Sequence, residues 1–490
     1  MAFLKDQQHR ISDNIIFYLL LLFSFCLLLF VLIHSAGTYD GGDGVSHYFI
    51  SRFSFQHPKL FLDLWGKPLF TMASSPFAQF GLKGITLFNI LCGILSAWCG
   101  FEIAKKLEMK FPWVIFCFSL FSPIYFGVLN SGLTEPFFSL MLIFSILLLF
   151  KNRTYMAAII FSLAPFVRPE ANYMILIFIL YFIMRKQYKA IPLLFTGTVL
   201  FSLIGALYFH DILWLKTNNP YNDANAASYE NIENGELFHY LKNYLHITGW
   251  PIALLIVIGS LYFLVRIILR FRNNREKAPQ DLFTEELILL YFCFFFYVAA
   301  HSVIWWKRIF PTLGMFRYMS PILPVAALIC LRGLNFVFDL IRNKLIQLVI
   351  LIPFLVITIR VPFQEYYYPF ELDGEQRVVQ DCADWLVRSG YKNSFFYPLH
   401  PFATLALDID PFDAKSHGNW TEVRSDDPGK NVTSGSIIIW DAHYGANDCH
   451  LPLDSLLNSR DYTVLQSFKP KVEFKVLGDV PYSVYLFMRK

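Results

Sequence analysis

The 490-residue chain is short of charge: Asp, Glu, Lys and Arg make up 16% of it, while 56% is hydrophobic. A soluble protein of this length carries about a quarter charged residues, so a water-solvated globule is excluded. The apolar excess is gathered into runs near the ~20 residues that cross a hydrocarbon core. A cysteine framework is lacking too. Six of the eight cysteines, Cys26, Cys92, Cys99, Cys117, Cys293 and Cys330, fall in apolar runs and read as small hydrophobes. No pair has metal-ligand spacing. Only Cys382 and Cys449 lie in a polar region, where an oxidising compartment would let them pair. There is no short fixed repeat and no low-complexity tract. The first apolar run, Ile15 to Ile33, lacks a small-residue cleavage site and is too long for a signal-peptide core, so it reads as a retained span.

The remaining pattern is that of a polytopic α-helical membrane protein. Hydropathy predicts about eleven spans, near 14–34, 82–103, 112–130, 133–150, 154–167, 171–184, 190–209, 249–269, 284–301, 318–338 and 345–362. Basic clusters at Lys105/Lys106/Lys110, Lys151/Arg153, Arg185/Lys186/Lys189, Arg270/Arg272/Arg275/Lys277 and Arg342/Lys344 then share one side with the N-terminus. The positive-inside rule makes that side cytoplasmic, so the N-terminus is expected inside and the C-terminus outside. The external segments are a first loop, 34–81, the junction 166–170, a long polar stretch, 210–248, and His301 to Arg317. Beyond Pro362 the composition alternates polar and apolar. Residues 363–490 are expected to form an extracytoplasmic α/β domain, with helices near 376–389 and 451–459 and strands near 394–397, 436–440, 462–468 and 482–488. The transmembrane domain is expected over 1–362.

Chemistry is concentrated in the first loop. Asp40 and Asp43 sit in Asp-Gly-Gly-Asp-Gly, followed by His47, Arg52, His57 and Lys67. A carboxylate there suits a general base; equally, it suits an Asp/Gly turn capping a helix from Val45 to Arg52. An Asp-x-Asp metal motif is absent from this loop, and no divalent metal or other cofactor is indicated. Thr134-Glu135-Pro136 fits a helix start, yet ionisable groups at membrane depth usually face a cavity and have a role. Arg168-Pro169-Glu170 reads either as a structural ion pair or as an anion site. Lys307, Arg308 and Arg317 break the positive-inside pattern beside Trp305 and Trp306. They suit a lipid phosphate through guanidinium and ammonium donors, or interfacial anchoring. Asp408-Ile409-Asp410 has the look of a metal motif but reads rather as a loop between elements.

Taken in order, these features resemble the GT-C class of membrane glycosyltransferases. They are the acidic first external loop with Asp40 and Asp43, His57-Pro58 and Lys67-Pro68-Leu69 later in it, Thr134-Glu135-Pro136, Arg168-Pro169-Glu170, and Arg317-Tyr318 before Pro321 and Pro324. That class uses polyprenyl-phosphate sugars and includes mannosyltransferases and aminoarabinose transferases; the close Asp-Glu or Glu-x-Asp pair of some members is absent here. The resemblance implies an inverting transfer to an acceptor hydroxyl on a glycan, lipid or protein, with Asp43 as base and Asp40 assisting. It implies Arg168, Lys307, Arg308, Arg317 and Lys67 at the donor phosphate, and Glu135, Glu170, His47, His57 and Tyr318 at the substrate. The expected setting is a bacterial inner membrane, with the site on the periplasmic face; the endoplasmic reticulum is the alternative. The expected partners are the lipid-linked sugar and the bilayer, not nucleic acid. Two other classes compete: a flippase or transporter of a lipid-linked glycan, whose members often carry internal repeats, and a non-enzymatic scaffold presenting the C-terminal domain.

Overall fold

The computed structural model describes residues 2–220, 235–272, 282–309 and 312–490. Residues 221–234 of the long polar stretch, with Arg275 and Lys277, lie outside the described residues. The chain divides into two compact units. One is Met1–His34 with Phe61–Tyr368, and the other is Ser35–Leu60 with Pro369–Lys490.

The first unit is helical, and each of the expected apolar runs is helical or broken-helical. Among the described residues, seven helices are long and apolar enough to cross a membrane: Ser12–His34, Leu82–Lys106, Tyr188–Phe209, Trp250–Arg270, Leu282–Lys307, Phe316–Asp339 and Lys344–Glu365. An eighth candidate, Pro112–Leu120 with Pro123–Leu129, is bent by 75°. Ser122 caps its second half by accepting from the Tyr125 backbone N–H, and Pro123 follows at the first turn. Three further apolar helices, Glu135–Phe150, Thr154–Phe166 and Ala171–Met184, are shorter, at 10–17 residues. Of the roughly eleven expected spans, seven are thus long single helices, one is the bent pair and three are the shorter helices. Length is lost where Pro136 and Pro169 set helix starts beside ionisable residues. In the segment from His301 the helix continues to Lys307, so His301, Trp305 and Trp306 are helical.

Polar groups mark the two ends of several of these helices. At one end, Lys151 after Glu135–Phe150 pairs with Glu102 (3.3 Å), Arg185 after Ala171–Met184 pairs with Glu285 (3.2 Å), and Lys110 pairs with Asp339. Glu135, Glu170 and Arg317 sit at the opposite, N-terminal ends of the same helices or their 3-10 lead-in. Between the ends, packing relies on small residues. Helices Trp250–Arg272 and Leu323–Asp339 meet through Gly259 and Gly333. A Cβ on Gly333 would come within 2.4 Å of the Leu255 carbonyl oxygen, and one on Gly259 within 2.2 Å of the Ile329 carbonyl oxygen. Backbones this close leave no room for a side chain.

The second unit is α/β. Strands β1 (Phe396–Pro398), β2 (Ile437–Asp441), β3 (Tyr462–Phe468), β4 (Lys475–Val476), β5 (Val480–Pro481) and β6 (Val484–Arg489) form a four-stranded sheet, β1-β2-β6-β3, and a two-stranded ribbon, β4-β5. Strand β1 is parallel to β2, while β2–β6 and β3–β6 are antiparallel. The Ile-Ile-Ile-Trp-Asp run of β2 is buried throughout, as a central strand covered on both faces should be. Helix Gly374–Arg388 opens with a capping box between Asp373 and Gln376 and places Val378, Val379, Cys382, Ala383 and Leu386 in the core. The sequence-predicted strands and helices of this region fall within a few residues of the observed ones. Cys382 and Cys449 are both free thiols. Residues 35–60 join this unit through helix Asp43–Phe53, which buries Val45, Tyr48, Phe49, Ile50 and Phe53.

The glycine contact yields a stability prediction. Gly333→Val should cost roughly 1–3 kcal/mol through overpacking against backbone, read as a lower unfolding temperature in detergent. An unchanged transition would show that the two helices do not meet there.

Candidate active site

In the helical unit, three chain breaks bring charge together. Glu135 is the first residue of helix Glu135–Phe150, with Pro136 next to it. Glu170 stands at the N-cap of helix Ala171–Met184, where Pro169 prevents the preceding turn from running on. Arg317 lies in the 3-10 stretch Phe316–Ile322, which leads into helix Leu323–Asp339. Two helix N-termini thus present backbone dipoles to two carboxylates, a favourable placement for negative charge.

Arg168 ties them together. Its Nε and Nη2 donate to Glu170 Oε1 at 3.0 and 2.6 Å, and its Nη1 donates to Thr134 Oγ1 at 3.0 Å. Nη1 also lies 2.8 Å from Glu135 Oε1, and Arg317 Nε is 3.8 Å from that same oxygen. The Arg168 guanidinium stacks over the Tyr318 ring, 5.2 Å from its centroid. All four charged side chains are buried. Two guanidinium groups face two carboxylates, so the network is neutral. The donors of Arg168 are largely used up within it. It therefore holds carboxylates in place more readily than it offers a bare positive charge.

Besides Tyr318, which the sequence singled out, side chains that sequence reasoning missed surround this network. His301 Nε2 is 2.8 Å from Tyr173 Oη, and the rings of Tyr173, Tyr297, Tyr240 and Tyr318 lie within 4.6–6.3 Å of the His301 ring. The available signal was a lone histidine inside an apolar run; placing the end of that helix at residue 301 hid it.

Other sequence-predicted basic residues are elsewhere in this unit. Lys307 and Arg308 are exposed at the C-terminal end of helix Cys293–Lys307, with the Lys307 ammonium 3.7 Å from the Trp306 ring centroid. Lys67 is buried just before helix Pro68–Ala78, with φ +66°, and donates to the Leu64 carbonyl at 3.0 Å. A positive φ on a lysine costs of order 1–3 kcal/mol, and such strain collects at functional sites.

Asp40, Asp43, His47 and His57 belong to the second unit. Asp40 Oδ1 accepts from the Gly44 backbone N–H at 2.8 Å, so Asp40 closes the turn that starts helix Asp43–Phe53. Asp43 is the first residue of that helix, with Gly42 at its N-cap. The turn leans on helix Gly374–Arg388 and on Tyr444. A Cβ on Gly41 would meet Gln376 Nε2 at 2.1 Å, and one on Gly42 would sit 3.6 Å from Tyr444 Oη. His47 is buried on the same helix. Arg52 pairs with Asp408 at 2.9 Å, and His57 Nε2 lies 2.8 Å from Asp410 Oδ2. The Asp408-Ile409-Asp410 loop therefore clasps residues 43–60. Among the described residues, no three of His, Cys, Asp and Glu are gathered as a metal site.

Behind the turn, Glu375 Oε2 receives His443 Nδ1 at 2.8 Å and has His400 Nε2 at 3.6 Å. His400 Nδ1 accepts from the Phe402 backbone N–H, so its proton is on Nε2. Burial would raise the Glu375 carboxyl, but the bonds from His400 and His443 outweigh it and hold the group down at about 2. The Glu375 bond raises His443.

Against this geometry the comparisons can be read. Residues 67–299 match the model of glycosyltransferase family 87, a stretch that contains Lys67, Glu135, Arg168, Glu170, Tyr173 and Tyr240. The fold is similar to that of ArnT from Cupriavidus metallidurans in the apo state, with a TM-score of 0.59 and 11% identity over 96% of this chain and 97% of that one. It is likewise similar to ArnT from the same organism bound to undecaprenyl phosphate, with a TM-score of 0.57 and 10% identity over the same shares. At such identity the likeness is one of fold. No curated protein sequence matches the chain. The family match over residues 67–299 and the fold point the same way, to a membrane glycosyltransferase of the GT-C type.

Two predictions follow from the contacts. Arg168→Ala leaves Glu135 and Glu170 buried without their cation and should cost about 3–5 kcal/mol; adding Glu135→Gln and Glu170→Gln should recover a substantial part. Wild-type stability in the single variant would contradict the network. For the second unit, the lowered Glu375 contributes stability above its ordinary 4.5, lost as pH falls towards about 2. The raised His443 contributes stability below its ordinary 6.5, lost as pH rises through its folded value. The stability difference between wild type and Glu375→Gln should thus be largest between about pH 4.5 and 6.5 and shrink on both sides. A pH-independent difference would contradict the pairing.

Proposed function

We propose that the chain moves a sugar from a polyprenyl-phosphate donor to an acceptor hydroxyl at the extracytoplasmic face of the membrane, with inversion at the anomeric carbon. The observation that carries this reading is the fold shared along nearly the whole chain with ArnT, a structure of which holds undecaprenyl phosphate. The placement of Glu135, Glu170 and Arg317 at helix ends opposite Lys151, Arg185 and Asp339 supports the sidedness. With basic ends cytoplasmic, the N-terminus lies inside and residues 363–490 lie outside, in a bacterial inner membrane with the site facing the periplasm.

In the reaction, the Asp43 carboxylate takes the proton of the acceptor hydroxyl. The hydroxyl oxygen bonds to the anomeric carbon, the bond from that carbon to the phosphate oxygen breaks, and the electron pair leaves with polyprenyl phosphate. Attack on the face opposite the leaving group inverts the configuration. In this reading Asp43 is the base and Asp40, which accepts from the Gly44 N–H, orients the turn. A base must reach the acceptor proton within hydrogen-bond distance. Negative charge grows on the leaving phosphate and calls for fixed cations. In this reading Lys67, Lys307 and Arg308 take that task, while Arg168 and Arg317, expected there too, face Glu135 and Glu170. The acceptor hydroxyl is on a glycan, a lipid or a protein.

Asp43→Asn should abolish transfer from a purified polyprenyl-phosphate sugar, a loss of at least ~100-fold, while the protein folds and elutes as wild type. Full activity would remove Asp43 from the role of base, and transfer sensitive only to Asp40→Asn would give the role to Asp40.

A further inference from the structure

Four polar atoms around the Arg168 network are buried and have no hydrogen-bond partner among the described residues: Glu135 Oε2, Glu170 Oε2, His301 Nδ1 and Tyr240 Oη. Their residues are 1%, 6%, 1% and 2% exposed. A single such atom costs roughly 1–3 kcal/mol, and native structures carry few. Four around one network in an apolar bundle mark a place built to be completed by something polar.

We infer that this place recognises the sugar ring of the lipid-linked donor, and that it does not hold the phosphate. The inference rests on the polyprenyl-phosphate-sugar reading above. Charge decides between the two ligands. The network is already neutral, with Arg168 and Arg317 facing Glu135 and Glu170. The open atoms on the glutamates are carboxylate oxygens, which repel a phosphate and accept from hydroxyls. A sugar hydroxyl both donates and accepts. It can donate to Glu135 Oε2 or Glu170 Oε2 while accepting from Tyr240 Oη. His301 fits either way. Its Nε2 is engaged with Tyr173 Oη, so Nδ1 is left as a donor in one tautomer and an acceptor in the other. The tyrosine rings around His301 add apolar faces of the kind a pyranose C–H face packs against. Sequence alone gives no role to His301, Tyr240 or Tyr173. Here they are specificity residues for the sugar.

The test compares ligands that differ only in the sugar. Full-length protein in detergent would be titrated with undecaprenyl phosphate and with its hexose-, pentose- and aminosugar-linked forms. In the wild type, at least one linked form should bind more tightly than undecaprenyl phosphate. Tyr240→Phe and His301→Asn should each weaken that form about tenfold, the worth of one hydrogen bond to a buried group, and leave undecaprenyl phosphate itself unaffected. Tyr240→Phe removes only an unpartnered hydroxyl, so its unfolding temperature without ligand should equal or exceed that of the wild type. Equal weakening of the linked and sugar-free ligands would overturn the inference, as would no weakening of either, which would leave these atoms to water alone. No gain from any sugar in the wild type would also overturn it. Failure of the wild type to bind undecaprenyl phosphate or any linked form would sink the polyprenyl-phosphate reading and this inference with it, and that failure is visible separately.

Discussion

An arginine held between two glutamates inside an apolar helical unit is the constraint from which much of the rest follows. Ions removed from water are costly at membrane depth, and the cost is tolerable only if each is paired and hydrogen-bonded. Arg168 meets that condition by donating to Glu170 and Thr134 and lying against Glu135. The price is architectural: helices must begin where the carboxylates are. Three apolar helices are accordingly short, and prolines next to Glu135 and Glu170 fix their starts. A bundle of uninterrupted spans would need no such breaks and could not assemble this cluster.

The second unit applies the same economy to the acidic turn. Of its two carboxylates, Asp40 carries the structural duty by accepting from the Gly44 N–H. Arg52 and His57 pair with Asp408 and Asp410, which fastens residues 43–60 to the C-terminal segment. Gly41 and Gly42 have their neighbours Gln376 and Tyr444 where a side chain would otherwise be. The turn is thus held by groups more than three hundred residues away in sequence. That is the kind of support a positioned base requires, because catalysis by proton transfer falls steeply when the base is misplaced.

Much of this was legible beforehand, and for identifiable reasons. Apolar runs near bilayer length showed the helices, and alternation beyond Pro362 showed the strands, because both patterns depend only on local spacing. Thr134-Glu135-Pro136 and Arg168-Pro169-Glu170 stood out because charge beside proline in apolar sequence is rare. The span count was less legible. Hydropathy does not measure a bend such as that before Pro123. His301, Tyr173 and Tyr240 went unnoticed because tyrosine and a single histidine are ordinary in an aromatic-rich chain, and only their meeting in space makes them a group. The pairing of Arg52 and His57 with Asp408 and Asp410 is long-range and has no local signature. Arg168-Pro169-Glu170 read in sequence either as a structural ion pair or as an anion site, and in space Arg168 pairs with Glu170 and also with Glu135, a long-range partner that sequence did not offer.

The most direct measurement is the anomeric configuration of the product when the purified chain is given a radiolabelled sugar on undecaprenyl phosphate and an acceptor extract. The account predicts transfer from the lipid-linked donor, release of undecaprenyl phosphate, and a glycosidic bond of opposite configuration to that of the donor. Retained configuration, or transfer that proceeds from a nucleotide sugar and not from the lipid-linked one, would contradict it.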